Sequence, residues 1–217
     1  MSIFYWSSLP LSFVASLLRL GAGAPAPRIE QKEPIILYEF EGCPYCRIAR
    51  EAVSQSGVSA LVRPCPKGGK RFRPAVRELG GKSQYPYLID ENTGAQMYES
   101  GDIAAYLHKT YGGRRTLMRF LGPIDLILSQ FAVLARLAAG TFRRRSTAPA
   151  EPLEFVGAER DPRARLVKER LCEMELEYLW RPAGEGDAAP LLIDRNRNEI
   201  IAGAHSILQY LKAVYRP

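Results

Sequence analysis

Two stretches of this 217-residue chain repeat one another. Cys46–Val53 (CRIAREAV) aligns with Ala164–Leu171 (ARLVKERL) at an offset of 118, and Glu33-Pro34 meets Glu151-Pro152 at the same offset. Further on, Pro86–Asp90 (PYLID) aligns with Pro190–Asp194 (PLLID) at an offset of 104, as does Ile103–Tyr111 (IAAYLHKTY) with Ile207–Tyr215 (ILQYLKAVY). The second copy is therefore shorter by 118 − 104 = 14 residues in its middle. Solenoid repeats have periods of ~20–50 residues, so a period near ~110 means two tandem domains.

Local signals order the first copy as β-α-β-α-β-β-α. Ile35–Phe40 is a β-prone run. Gly42-Cys43-Pro44 opens a helix whose apolar positions Ile48, Ala49, Ala52 and Val53 share one face, and Gly57 ends it. Val58–Arg63 reads as a strand and Phe72–Leu79 as a short helix. Tyr87–Ile89 and Ala95–Tyr98 form a hairpin around Asn92-Thr93-Gly94. Ser100 or Asp102 is expected to cap a last helix through Lys109. In the second copy the expectation is a strand at Leu153–Val156, a long helix over Ala164–Leu179, a hairpin and a helix at Ser206–Val214. The second strand and second helix are expected to be missing between Trp180 and Pro190, where RPAGEGDAA is too short for both. Leu117–Gly140 is helix-like with Pro123 as its start, and Arg143–Pro152 reads as an exposed linker.

Composition narrows the class. An apolar fraction of 47% with 24% charged residues is that of a globular chain. Four cysteines are too few for a disulfide scaffold. The net charge of +7 is concentrated: seven arginines and Asp125 give the span from Arg114 to Arg145 a charge of +6, leaving +1 elsewhere. That distribution is not a chain-wide nucleic-acid footprint, and no specific nucleic acid is expected. Arg143-Arg144-Arg145 gives weak support for a peripheral membrane contact. Residues 1–27 are apolar but lack a basic start, are interrupted by Pro10 and carry Arg19 at the end. A short segment packed on the protein body, in a cytoplasmic chain, is expected over a secretory leader.

The chemistry lies in Cys43-Pro44-Tyr45-Cys46. At a strand-to-helix junction the first thiol meets unsatisfied helix N–H groups and a partial positive charge, which favour thiolate. Cys46 follows one turn later, where it can resolve a mixed disulfide. Half of a zinc site is the competing reading. It needs a second ligand pair, and Cys65, Cys172, His108 and His205 offer no paired spacing, so no metal is expected. Cys65 could be a third redox thiol, but a semi-exposed, unreactive cysteine is expected. The cluster from Lys67 to Arg73 reads as a solvated loop.

Gly-Cys-Pro-Tyr-Cys after a strand, a proline before a strand about forty residues on, and Glu-Ser before the last helix together resemble glutaredoxins and the thioredoxin-like N-terminal domain of glutathione transferases. The chain as a whole resembles the tandem glutathione-transferase N-terminal-domain proteins of bacteria and plastids. Arg63-Pro64-Cys65-Pro66-Lys67-Gly68-Gly69 and Tyr98-Glu99-Ser100 also fit that pattern. The resemblance implies glutathione as cofactor. It places Cys43 as nucleophile and Cys46 as resolving thiol. Tyr85, before a cis Pro86, would meet the cysteinyl part of glutathione, and Glu99 and Ser100 its γ-glutamyl end. Tyr45 would sit over the thiol.

The second copy departs at each of these points. Asp161-Pro162-Arg163-Ala164 replaces the cysteine motif and Gly203-Ala204 replaces Glu-Ser. It reads as a structural partner whose glycine at 203 allows close packing, and His205 as structural. The expected organisation is an N-terminal packing segment (1–32), a thioredoxin-like domain (33–113), a helical basic linker (114–150) and a degenerate thioredoxin-like domain (151–217). The expected activity is glutathione-dependent thiol–disulfide exchange on a disulfide or glutathionylated substrate. The alternative is a non-catalytic module that binds glutathione or another cofactor.

Overall fold

The computed structural model describes all residues except 1, 20–21, 114–122, 138, 185–189 and 217. Helix α1 (Ser2–Leu17) precedes β1 (Ile35–Glu39), α2 (Pro44–Ser56), β2 (Ala60–Pro64), α3 (Arg73–Gly80), the hairpin β3 (Tyr87–Asp90) and β4 (Ala95–Met97), and α4 (Ser100–Thr110). Then follow α5 (Pro123–Leu134), β5 (Leu153–Val156), α6 (Pro162–Glu173), β6 (Tyr178–Arg181), the hairpin β7 (Leu191–Asp194) and β8 (Glu199–Ala202), and α7 (Ala204–Tyr215). Pro123 does start a helix, while the earlier part of that expected helix, from Leu117, lies outside the described residues.

All strands join one eight-stranded sheet in the order β4-β3-β1-β2-β6-β5-β7-β8. Each half is a parallel strand pair flanked by an antiparallel hairpin. The halves meet through β2 and β6, antiparallel, with Ala60 opposite Trp180 and Val62 opposite Tyr178. One apolar core runs across the junction, from Leu37, Val53 and Leu107 to Phe155, Val167 and Trp180.

Strand β6 corrects the sequence reading. The long second-half helix was expected to run to Leu179, but α6 stops at Glu173 and Tyr178–Arg181 is the second strand. The stop is Glu175, which sits at φ +48° where the first half has Gly57 at φ +71°. A left-handed residue other than glycine needs support. Here the Glu175 carboxylate accepts from the backbone N–H groups of Lys70 (2.8 Å) and Arg71 (3.0 Å) and pairs with Arg143 (2.7 Å). The Lys67–Arg73 cluster is accordingly not a solvated loop. Arg71 also donates to the carbonyls of Met174 (3.0 Å) and Ser146 (2.5 Å), clasping the second half. Arg143–Pro152 is largely exposed, as expected, but its start is tied down: Arg143 N–H donates to the Lys67 carbonyl at 3.0 Å and Arg144 N–H to that of Glu173 at 2.6 Å.

The correspondence between halves reaches beyond the segments visible in the repeat. Ser12 on α1 donates to the Pro162 carbonyl (2.9 Å), and Ser129 on α5 donates to the Pro44 carbonyl (2.8 Å). Arg19 after α1 holds Glu51 (2.6 Å), and Arg136 after α5 holds Glu169 (2.7 Å). Gly23 (φ +81°) and Gly140 (φ +71°) then turn the chain against Glu159 and Glu41, leaving no room for a side chain. At the far end of each half one carboxylate ties the hairpin to the last helix. Asp90 accepts from Tyr106 (2.6 Å) and Tyr111 (2.5 Å), while Asp194 accepts from Tyr210 (2.7 Å) and Tyr215.

Between the halves lies a buried charge cluster. Arg50 contacts Glu39, Glu41 (3.0 Å) and Glu159 (3.3 Å), and Lys168 contacts Glu159 and Glu41 (3.4 Å). Each cation thus bridges to the carboxylate of the other half. Such clusters specify one docking geometry more than they add stability, because desolvation offsets much of the attraction.

Candidate active site

Three loops converge where β1 ends. Strand β1 delivers the chain to Cys43, and its register with β3 sets Tyr38 opposite Tyr87, which brings Pro86 beside that same end. Strand β4 pairs with β3 through Met97 and Leu88, so Glu99 and Ser100 emerge next to it. The rings of Phe40 and Tyr85 meet edge to face at 6.1 Å, and Arg73 lies over Tyr85 at 4.7 Å. The Tyr85–Pro86 peptide bond is cis.

Cys43 is the N-cap of α2, with extended backbone (φ −106°, ψ 122°), and its sulfur accepts from the Cys46 N–H at 3.3 Å. Pro44 fills the first helical position. The cap geometry places the sulfur at the positive end of the helix, where a thiolate is favoured. The Cys43 thiol is held below the ordinary value, first by the hydrogen bond from the Cys46 thiol. Burial opposes this, and the Cys46 and Tyr45 N–H groups and the Arg50 charge assist it. Cys46 moves the other way: burial, then the neighbouring Cys43, raise it well above the ordinary value. Both cysteines are free, and Cys43 is 5% exposed against 0% for Cys46. The two thiols are therefore shifted in opposite directions, with Cys43 the more readily ionised of the pair. Tyr45, at 44% exposed, stands at the surface next to them.

Glu99 is the N-cap of α4 at φ +63°, ψ 117°, a conformation rarely adopted by a residue with a side chain. Contrary to the sequence expectation, neither Ser100 nor Asp102 caps this helix: both lie within it, and Glu99 makes no side-chain cap bond. Glu99 instead accepts from Gln84 Nε2 at 2.5 Å, and Ser100 is buried at the first helical position. Gln84 was missed in the sequence, where an isolated glutamine carries no signal.

The other cysteines are excluded from this chemistry. Cys65 is fully buried rather than semi-exposed, and burial pushes its thiol far up. Cys172 is buried, donates to the Gly140 carbonyl at 3.3 Å and is likewise raised by burial. At the equivalent of Cys43, Asp161 caps α6 by accepting from the Arg163 N–H at 2.9 Å. Gly203 takes the place of Glu99 at φ +85°, but a side chain there would meet open space, so close packing does not explain it. His205 bonds Gln209 at 3.0 Å. Among the described residues no group of three His, Cys, Asp or Glu could hold a metal ion. No helix among them is long and apolar enough to cross a membrane.

No curated protein matches this chain. Residues 37–115 match the family model for the glutathione S-transferase N-terminal domain, a span that runs from β1 through α4 and contains the cysteine pair, the cis proline and Glu99-Ser100. Over that span the fold is mixed α/β, consistent with a thioredoxin-like domain of the glutathione S-transferase N-terminal type.

Proposed function

We propose that the protein is a glutathione-dependent thiol–disulfide oxidoreductase with Cys43 as nucleophile. The observation that carries this reading is the opposed tuning of the two cysteines at the start of α2. The Cys43 thiolate attacks the glutathione sulfur of a glutathionylated substrate. The S–S bond breaks, the substrate leaves as thiolate and takes a proton from water, and Cys43 is left as a mixed disulfide with glutathione. A second glutathione thiolate then attacks the glutathione sulfur of that mixed disulfide, releasing oxidised glutathione and restoring the Cys43 thiolate. Alternatively Cys46 loses its proton and attacks Cys43, expelling glutathione and closing an internal disulfide. The Glu99 carboxylate receives the ammonium of the γ-glutamyl group, and the N–H groups at the start of α4 with Ser100 receive its carboxylate. Tyr85 offers its backbone to the cysteinyl part, and Tyr45 covers the thiol.

In this reading the two halves are copies of one unit, and each unit includes the helix before its first strand: α1 for the first and α5 for the second. The second copy keeps the sheet and lacks the thiols.

Intact-mass measurement of Cys46→Ser exposed to oxidised glutathione tests the proposal. A single glutathione adduct on Cys43, formed more slowly in the additional Glu99→Ala variant, is the expected result. The alternative, a non-catalytic binding module, is favoured by the near-complete burial of Cys43. Glutathione binding with no adduct and no turnover would establish it instead.

A further inference from the structure

We propose that Glu39 takes the proton of Cys46 when that thiol attacks the mixed disulfide on Cys43. This deepens the thiol–disulfide reading of the site and rests on it. Comparison of the two halves isolates Glu39. Across the offset of 118, Arg50 corresponds to Lys168 and Glu41 to Glu159, so the buried cluster holds two matched ion pairs. Glu39 is the carboxylate without a counterpart: its position in the second half is Gly157, and that of Cys46 is Ala164. The extra carboxylate thus accompanies the second thiol and is absent where that thiol is absent. The backbone ties the two positions together. A Cβ at 157 would lie 3.0 Å from the Cβ of Ala164 and 2.7 Å from the Phe155 ring. In the first half the same direction leads from Glu39 to Cys46. Strand alternation agrees: Ile35 and Leu37, on the same face of β1 as Glu39, lie in the core with Ala49 and Val53 of α2, whereas Tyr38 belongs to the cluster on the other face.

The Glu39 carboxylate is equipped for this. One oxygen is held by Arg50, which follows Cys46 by one turn of α2. The other, Oε1, is buried and has no hydrogen-bond partner among the described residues. Burial pushes Glu39 up to about 7, with Glu41 adding to the rise and Arg50 and Lys168 opposing it. A group in that range both takes and returns a proton near neutrality. Cys46 needs such an acceptor. In the reduced pair its thiol is hydrogen-bonded to the Cys43 sulfur. Once Cys43 carries glutathione that thiolate is gone, and at 0% exposure Cys46 has no contact with solvent. Cys65 and Cys172 also feel the Glu39 charge, but their thiols donate to the carbonyls of Arg63 (3.4 Å) and Gly140 (3.3 Å). Tyr178 feels it from β6 and is held protonated by burial. In the proposed step the Cys46 proton passes to Glu39 Oε1, the Cys46 sulfur bonds to the Cys43 sulfur, and the bond from Cys43 to glutathione breaks. Cys46 is oxidised, and glutathione is reduced and leaves as thiolate. When a glutathione thiolate reopens the internal disulfide at Cys43, Cys46 leaves as thiolate and recovers the proton from Glu39.

An acid-quenched intact-mass time course of the full chain exposed to oxidised glutathione resolves the two steps: the adduct on Cys43 appears, then is lost as the internal disulfide closes. Glu39→Gln keeps the shape of the side chain and an oxygen for Arg50, and should slow closure by about a hundredfold. Glu41→Gln removes a carboxylate of the same cluster that has a counterpart in the second half, and should leave closure nearly unchanged. The wild-type closure rate should rise with pH through about 7 as Glu39 ionises and then level, an inflection that Glu39→Gln should lose. A purely structural role for Glu39 would not produce that profile. Closure at the wild-type rate in Glu39→Gln, or equal slowing in both variants, would overturn this proposal and leave the nucleophilic role of Cys43 standing. A wild-type profile without an inflection near 7 would overturn it without recourse to any variant, as would an adduct that never closes. Failure of Cys43 to form an adduct even in Cys46→Ser would overturn the parent reading, and this proposal with it.

Discussion

The N-termini of α2 and α6 occupy the same place in the two halves of the sheet, and both begin with a capping residue followed by proline. At α2 the cap is Cys43, a weak acceptor for a helix N-terminus, and its neighbour Cys46 is a buried thiol. At α6 it is Asp161, a strong cap, with Ala164 in place of the second cysteine. The same contrast recurs at the start of the last helices. Glu99 holds φ +63° despite its side chain, whereas Gly203 adopts φ +85° where a glycine does so freely. At these two helix starts the first half has a weak cap and a residue with a side chain at positive φ, and the second half a strong cap and a glycine. The relation is reversed at Glu175 (φ +48°) and Asn198 (φ +55°), where the first half has Gly57 and Gly94. At the helix starts beside the cysteine motif the costlier residues lie in the first half, as a used site there would require.

The largest expected effect is on chemistry. Cys43→Ser should lower turnover of a glutathionylated peptide by more than about a hundredfold, because a hydroxyl is not ionised at neutral pH. Asp161→Ser should leave that rate unchanged, and a parallel loss in both variants would erase the distinction between the halves. Next comes the shared charge cluster. Arg50→Met strands Glu39, Glu41 and Glu159, and Lys168→Met strands Glu159 and Glu41. Each should cost about 3–5 kcal/mol in urea unfolding. Only the Arg50 variant should also raise the pH at which Cys43 is alkylated, since Arg50 helps to hold that thiol down.

The pH dependence of stability separates two carboxylates in the same cluster. Burial opposes ionisation of Glu159, but Lys168 and Arg50 bring it down to about 2. Its contribution is present above the ordinary carboxyl range, near 4.5, and is lost as pH falls toward 2. Burial pushes Glu39 up to about 7 against the pull of Arg50. Its protonated form therefore favours the folded state below about 4.5, and that contribution is lost as pH rises through 7. Melting temperature followed across this range should fall at the acid end, and Glu39→Gln should flatten the decline between pH 4.5 and 7. The smallest effects belong to the caps. Asp161→Ala should cost about 1 kcal/mol. Glu99→Gly should stabilise the fold by about 1 kcal/mol while slowing formation of the glutathione adduct. Destabilisation by Glu99→Gly would mean that its backbone is not strained.

Much of the first half could be read from the sequence because its signals are local. Pro44 after Cys43, Gly57 closing α2 and Asn92-Thr93-Gly94 in the hairpin each act within a few residues. The second half hid β6 because Met174–Trp180 is rich in helix formers. The residue that stops α6, Glu175, takes a glycine's conformation only through contacts about 105 residues away with Lys70 and Arg71. The likeness between α1 and α5 escaped notice for a different reason. Largely apolar helices align in many registers, and the informative matches are few: Ser12 with Ser129, Arg19 with Arg136, and Gly23 with Gly140. What makes them equivalent is a set of tertiary bonds to Pro162, Pro44, Glu51 and Glu169. At the site, the cysteine motif, cis Pro86 and Glu99 were readable as a pattern. Gln84, the buried state of Cys65 and the role of Arg50 depend on packing that no motif encodes.

The central claim is that the fold makes Cys43 alone a ready thiolate. Site-resolved alkylation of the native protein across pH, read by mass spectrometry at all four cysteines, tests it most directly. The account predicts that Cys43 is labelled first, with a midpoint clearly below the ordinary thiol value near ~8.5, while Cys46, Cys65 and Cys172 stay unlabelled until the protein unfolds. A Cys43 midpoint at or above that value, or earlier labelling of any other cysteine, would contradict it.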